Sequence, residues 1–523
     1  MPTTITLCVR LSVLPSSSSL CNPLRPLPPI APFLLIMAAL FHLRHPYTTS
    51  TDIDRRLMPP PPKPKCHFKR LSRELLFRIL RYLCDDVESL LHAARVCQRW
   101  SYQVGSLLYH TITMTVYDQL PPPRHTFTIS ALRAFLQDST RADHRDTVRR
   151  MVVYYEAAQQ RTPLSVRQIA LGEFDSAHEE PSSPVHNRSD AEFRDTVAFL
   201  FGILQQWNPE NKIQLNFVLS YTLARADAPP VGLDDVEDPK LITFPSIKCV
   251  SCLTFDYKDE EAVFQPIWEA TPFHIAQSCE GLTTLIVDTD AFRWYGRQVS
   301  LEKRRDGIGE SLGSIPNTLK TLSVRAVGAS NPKVLDSINI NRDLFSYRIL
   351  SLSTQLRALE LYNVTLPLDF WCSLDESNRP NRVSPIWPHL RRVISVDNCL
   401  VEGSGAGGLY NSASHRKLFF SQLTRLVTSL GYAVKHMPQL DLLKCAISSV
   451  PAPIVQFMVV RSNKGKAKAT LSCNCPIPHH WAPQHCMVAA WGVPLAYAFH
   501  KNKAPGTATR KVRVTYDPWP PRP

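Results

Sequence analysis

Asn317–Arg325 reads NTLKTLSVR: a leucine, two spacers, a second leucine, then a valine two residues on. The pattern returns in PSIKCVSCLTF (245–255), EGLTTLIVD (280–288), TQLRALELYNV (354–364), PHLRRVISVDN (388–398) and PQLDLLKCA (438–446). Past each anchor, apolar and polar residues tend to alternate, the period of a strand with one buried face. Anchored on Ile247, Leu282, Leu319, Leu356, Leu390 and Leu440, the copies lie 35, 37, 37, 34 and 50 residues apart. This predicts an array of long, irregular repeats, each with a short strand and a connecting segment behind it. One such unit cannot bury its own apolar face, so neighbours must stack. The spacing exceeds the roughly 20–29 residues of common leucine-rich repeats, and most copies lack the asparagine-ladder position. A compact α/β domain with several similar strands satisfies the same pattern.

Around the copies, periodicity predicts further elements. The long last gap contains Leu418–Met437 (LFFSQLTRLVTSLGYAVKHM), an amphipathic helix. Ile129–Gln137 and Phe193–Trp207 have helical spacing, Ile213–Leu219 alternates as a strand, and the polar, proline-bearing His178–Asp190 reads as a loop. Val455–Arg461 and Thr470–Cys473 are expected strands, and His485–Phe499 an expected helix.

Ahead of all this, behind the proline run Pro59–Pro62, lies Leu71–Tyr109: LSRELLFRILRYLCDDVESLLHAARVCQRWSYQVGSLLY. On a helix, Leu75, Leu76, Ile79, Leu80, Tyr82 and Leu83 cover about 160° of the circumference, and Phe77 widens the arc. Ser72 is placed to cap this helix. Asp85 and Asp86 open a second helix, with Leu90, Leu91 and Ala94 as its apolar row. Val96, Cys97, Trp100, Val104, Leu107, Leu108 and Tyr109 form a third row. A module this small carries more apolar surface than it can bury alone, which points to a protein partner.

The order Leu71-x-x-Glu74-Leu75-Leu76-x-x-Ile79-Leu80-x-x-Leu83, then Leu91, Val96-Cys97-x-x-Trp100 and Leu107-Leu108-Tyr109 resembles an F-box. Ser72 stands where that family usually has proline. The resemblance implies docking on the Skp adaptor of an SCF ubiquitin ligase and, through it, on cullin and RING subunits. It makes Leu71, Leu75, Leu76, Ile79, Leu80, Leu83, Val96 and Trp100 the adaptor-binding set, shared with the module's own core and not divisible from sequence. The rest of the chain resembles fungal F-box proteins with an uncharacterised C-terminal region. That similarity runs through FLFGILQQW (199–207), IPNTLKTLSV (315–324), LSLSTQLRALEL (350–361), residues 419–445 and VAAW (488–491). It implies a leucine-rich-repeat-like scaffold and no catalytic residue.

The expected fold class is therefore α+β or α/β: a three-helix F-box followed by an irregular leucine-rich-repeat-like body. The expected divisions are a disordered leader and linker (1–65), the F-box (66–112), a mixed α/β segment (125–240), the repeat domain (241–500) and a disordered basic tail (501–523). In the leader, Ala31–Phe41 is too short to span a bilayer, and Met37 or Met58 is an alternative start.

Charge favours solvated basic tails over a nucleic-acid groove. The formal charge is +14, but residues 125–450 hold 34 Lys/Arg against 37 Asp/Glu, so the basicity belongs to the ends. A nucleic-acid groove would concentrate it on the body. Fourteen scattered cysteines fit reduced thiols and a cytoplasmic or nuclear location. Gly309–Gly313 matches G-x-S-x-G, yet no apolar strand precedes it, as a nucleophile elbow requires. Cys249-x-x-Cys252 lies in a strand pattern that sends its thiols to opposite faces. Cys473, Cys475, His479, His480, His485 and Cys486 are the densest soft ligands, but their spacing departs from a zinc site. The basic run Arg461–Lys468 reads as a solvated loop. No catalytic residue, metal or cofactor is expected. The predicted activity is target recognition for a ubiquitin ligase; the alternative is an F-box scaffold acting without one.

Overall fold

The computed structural model describes residues 72–83, 87–115, 127–137, 145–156, 184–220, 243–255, 270–289, 301–326, 343–362, 364, 366–381, 385–397, 413–447, 454–461, 467–475, 485–492 and 510–516. The chain divides into two units, with the boundary between Val104 and Gly105. The first contains α1 (Arg73–Arg81), α2 (Val87–Ala94) and the start of α3 (Gln98–Leu108).

The second unit is built on one 13-stranded sheet. Its strands are β1 (Thr111–Thr115), β2 (Phe127–Thr128), β3 (Arg150–Glu156), β4 (Ile213–Ser220), β5 (Val250–Phe255), β6 (Thr284–Thr289) and β7 (Thr321–Ala326). They continue as β8 (Ala358–Tyr362), β9 (Arg392–Asp397), β10 (Leu442–Ile447), β11 (Ile454–Arg461), β12 (Ala467–Cys475) and β13 (Arg510–Tyr516). From β3 to β13 the spatial order is the chain order, with β1 and then β2 outside β3. All pairs up to β9–β10 are parallel, and the last three are antiparallel.

The described helices of this unit between parallel strands are α4 (Ile129–Gln137), α5 (Pro184–Leu204), α6 (Thr271–Gln277), α7 (Leu301–Leu312), α8 (Leu344–Ser353) and α9 (Ala413–Val434). Right-handed crossovers between successive neighbours bring such connections to one face of a sheet. The burial agrees: Met151, Leu215, Leu253, Leu285, Leu322, Leu359, Val393 and Leu443 are register partners across eight strands, and all are buried. The six anchors Ile247, Leu282, Leu319, Leu356, Leu390 and Leu440 are fully buried two or three residues ahead of their strands. Between β8 and β9 an irregular segment takes the place of a helix. Its Phe370, Trp371 and Leu374 are buried, and Arg425 of α9 clamps it through Asp369 Oδ2 (2.7 Å) and the carbonyl of Leu374 (2.7 Å).

Side chains stitch each repeat to the next. Trp387 Nε1 donates to Ser353 Oγ at 2.7 Å, and Gln277 Nε2 to the carbonyl of Ser311 at 2.8 Å. Arg305 on α7 forms a two-pronged ion pair with Asp343, which caps α8 by accepting from Ser346 N at 3.1 Å. Close approach also selects glycine: a Cβ on Gly281 would lie 2.2 Å from the carbonyl oxygen of Lys248 in the previous repeat.

The opposite face carries the alternate residues and mixes polar side chains with apolar ones such as Val152, Ile286 and Ile394. Across β6–β9 it holds Asp288–Arg325 (3.3 Å), Arg325 over the Tyr362 ring, Tyr362 donating to Glu360, and Glu360–Arg392 (2.8 Å).

Three sequence expectations change. The segment 178–190 was expected to be a loop, but α5 begins at Pro184, where proline's missing N–H costs nothing because the first turn has no partner for it. The tail 501–523 was expected to lack structure, but Arg510–Tyr516 pairs antiparallel with β12; its R-K-V-R-V-T-Y alternation is a strand pattern that its basic composition obscured. The division between 125–240 and 241–500 does not interrupt the sheet, because β3 and β4 continue into β5 in register. Elsewhere, α4, β4, β11 and β12 lie over their predicted spans. The expected helix His485–Phe499 is described as α10 (His485–Trp491), followed by Gly492 at φ +70°. Residues 1–71 lie outside the described residues, as do Asp85, Asp86 and 517–523.

Candidate functional site

The first unit begins at a serine cap. Ser72 is extended, and its Oγ accepts from Leu75 N at 3.2 Å while its carbonyl accepts from Leu76 N at 3.0 Å. Glu74 in the first turn and Arg78 and Arg81 in the last complement the helix dipole. The cap sets where α1 starts and hence which side chains share a side.

Helical geometry places Leu76 and Leu80 together, about 100–140° around the axis from Leu75, with Ile79 and Tyr82 close to Leu75. The structure separates these two arcs. Leu76 is 1% exposed and Leu80 is fully buried, whereas Leu75 is 52% and Tyr82 80% exposed. Ile79 and Leu83, between the arcs, are half-buried. The same division recurs downstream. On α2 Leu90 is buried and Leu91 exposed; on α3 Trp100 and Val104 are buried and Tyr102 exposed. Val96, in the turn after α2, is 45% exposed. Of nine large apolar residues exposed among the described residues, five lie between Leu75 and Tyr102. The surplus is concentrated on this module.

Of the eight expected adaptor-binding residues, Leu71 lies outside the described residues. Leu75 and Val96 are exposed, Ile79 and Leu83 half-buried, and Leu76, Leu80 and Trp100 buried. Tyr82 and Tyr102 join the exposed group though the family pattern does not mark them. Tyr82 was legible as part of the wide apolar arc of α1; Tyr102 had no distinguishing signal.

The chemical motifs resolve into structural contacts. Ser311 lies on α7 and is buried; its Oγ donates to the carbonyl of Gly307 at 2.9 Å and lies 3.0 Å from His274 Nε2. Burial lowers the pKa of His274, against the opposing effect of Glu310. The geometry is that of a contact between α6 and α7 and not of a nucleophile elbow, since Ser311 lies within the helix Leu301–Leu312 and is buried. Gly309 of the same motif is a packing position: a Cβ there would meet Leu344 and Phe345 of α8 at 2.8 Å.

Cys249 is buried with its thiol donating to the carbonyl of Leu204 at 3.4 Å, and burial pushes its pKa up to about 11. Cys252 is half-buried beside Thr254, its pKa also raised by burial. Neither has the depressed pKa of a reactive thiol. Cys473 and Cys475 fall in β12, while His479 and His480 lie outside the described residues. Arg461 and Lys468 belong to the antiparallel strands β11 and β12, and residues 462–466 between them lie outside the described residues. Among the described residues, no group of three or more His, Cys, Asp or Glu is arranged to hold a metal ion. No helix among them is long and apolar enough to cross a membrane.

A family model described as F-box-like matches residues 73–115, from the first residue of α1 to the last of β1. No curated protein and no solved structure matches the chain. The three-helix module with its divided apolar surface is therefore an F-box-like domain, the kind of domain that serves in general as the adaptor-binding part of ubiquitin-ligase subunits.

Proposed function

We propose that this protein is the target-recognition subunit of an SCF-type ubiquitin ligase, of the fungal F-box type. The F-box-like domain docks on the Skp adaptor, which links it to cullin and RING subunits in the cytoplasm or nucleus. The sheet unit is a leucine-rich-repeat-like body that holds a protein target. The observation that carries this reading is the F-box-like match falling on a module whose outward side carries Leu75, Tyr82, Leu91, Val96 and Tyr102.

Exposed residues such as Leu75 and Val96, with Ile79 and Leu83 at the margin, supply the docking surface. Leu76, Leu80 and Trp100 support it from within. The chain itself does no covalent chemistry and needs no cofactor or metal. Its contribution is proximity, which raises the effective concentration of the target beside the charged ubiquitin carrier.

The test is co-purification from cells of adaptor and cullin with wild type and with Leu75→Asp/Ile79→Asp. Loss of both from the variant is the expected result, and equal recovery refutes the reading. Recovery of adaptor without cullin from wild type would establish instead a scaffold that acts without a ligase.

A further inference from the structure

From Leu282 to Leu440, the residue after each buried anchor occupies one register line at the edge where the parallel strands begin. Successive backbone hydrogen bonds define the line: Lys320 N to the Thr283 carbonyl (2.8 Å), Arg357 N to Lys320 (2.7 Å), Arg391 N to Arg357 (2.8 Å) and Asp441 N to Arg391 (2.8 Å). Lys320, Arg357 and Arg391 thus stand on three adjacent strands, about 4.8 Å apart, as a basic row about 10 Å long.

Arg357 and Arg391 are exposed, and among the described residues neither makes an ion pair or side-chain hydrogen bond. Lys320 is half-buried and donates to the carbonyl of Asn317 at 3.4 Å. Arg392, also exposed, adjoins the row and is held by Glu360. The row stands out because residues 125–450 are slightly acidic as a whole. Unpaired like charges on neighbouring strands repel one another, a cost that an anionic partner would relieve.

We infer that the row Lys320–Arg357–Arg391 is a docking surface for a short acidic segment of a protein partner. Its limits favour a peptide over a nucleic acid. Asp441 ends the row on one side by placing a negative charge on the next strand, and uncharged Thr283 ends it on the other. A polyanion that continued in either direction would leave the positive surface or meet like charge. The inference concerns the second unit alone and does not depend on adaptor docking.

The test uses the purified full chain and a fluorescein-labelled oligo-glutamate peptide, with binding read by anisotropy over a salt series. Wild type is expected to bind, more weakly as salt rises. Arg357→Glu/Arg391→Glu should weaken binding by about tenfold or more, and Arg357→Gln/Arg391→Gln by less. Lys468→Glu, at an exposed basic residue on β12, three strands beyond Arg391 and past Asp441, should change it by less than about twofold. Because both arginines are exposed and pair with no described residue, the variants should keep the wild-type unfolding midpoint. Absence of binding by wild type, or equal weakening by Lys468→Glu, overturns the inference. Tighter binding of a single-stranded oligonucleotide of equal charge, with the same dependence on the two arginines, overturns its assignment to a protein partner.

Discussion

Leu75 and Leu76 are consecutive leucines with opposite surroundings, and truncating each should separate docking from folding. Leu76 is 1% exposed, so Leu76→Ala removes buried methyl groups and leaves a cavity, at a cost of about 2–5 kcal/mol. Hydrogen exchange at the amides of α1 should then speed up about 30-fold to several-thousand-fold. Leu75 is 52% exposed, so Leu75→Ala gives up only part of a leucine's burial and should cost less than about 1.5 kcal/mol of stability. The exposed half is what docking would bury, worth about 1–1.5 kcal/mol, or roughly five- to tenfold in the Kd for the adaptor. Titration calorimetry with purified adaptor measures the second quantity and hydrogen exchange the first. If Leu75→Ala speeds exchange as much as Leu76→Ala does, or leaves adaptor affinity within about twofold of wild type, the division of the apolar arc into core and docking sides is wrong.

Two further outcomes test the sheet unit. Asp343→Ala strands Arg305 beneath α8 without its carboxylate, and should destabilise the unit by about 3–5 kcal/mol in urea denaturation followed by tryptophan fluorescence. Burial disfavours the ionised form of Asp343, but the Arg305 guanidinium and the Ser346 bonds outweigh it and hold its pKa below the ordinary 3.8. The pair's contribution is therefore complete above pH 3.8 and is lost only as the pH falls through the lower folded value, so the Asp343→Ala deficit should be constant between about pH 5 and 8. Gly281→Ala would drive a methyl group to 2.2 Å from the Lys248 carbonyl, and should cost about 1–3 kcal/mol in the same assay; a neutral effect would mean that the two repeats are not in such close contact.

Local patterns were the legible part of this protein. The capped first helix and the six anchors each depend on residues within a few positions, where side-chain period reports burial directly. Ser72, Leu319 and Leu356 therefore stand where periodicity places them. The G-x-S-x-G serine was also readable as non-catalytic from its flanks, and its contact with His274 on α6 emerges only when repeats are brought side by side.

What the sequence determined by itself is the inventory: an F-box-like helical module, a series of strands with one apolar face, and no strand ahead of Ser311. What the tertiary structure decided is how those pieces face one another. The wide arc of α1 gathers apolar residues on one side of the helix, but periodicity cannot say whether Leu75 or Leu76 meets the chain's own interior. That depends on where other elements lie. The basic row is the same case in electrostatic form. Lys320, Arg357 and Arg391 are 34 to 37 residues apart in the chain and carry no joint signal there. Parallel pairing in register brings them onto adjacent strands, where their charges act together, because Coulomb interactions follow distance in space and not separation along the chain.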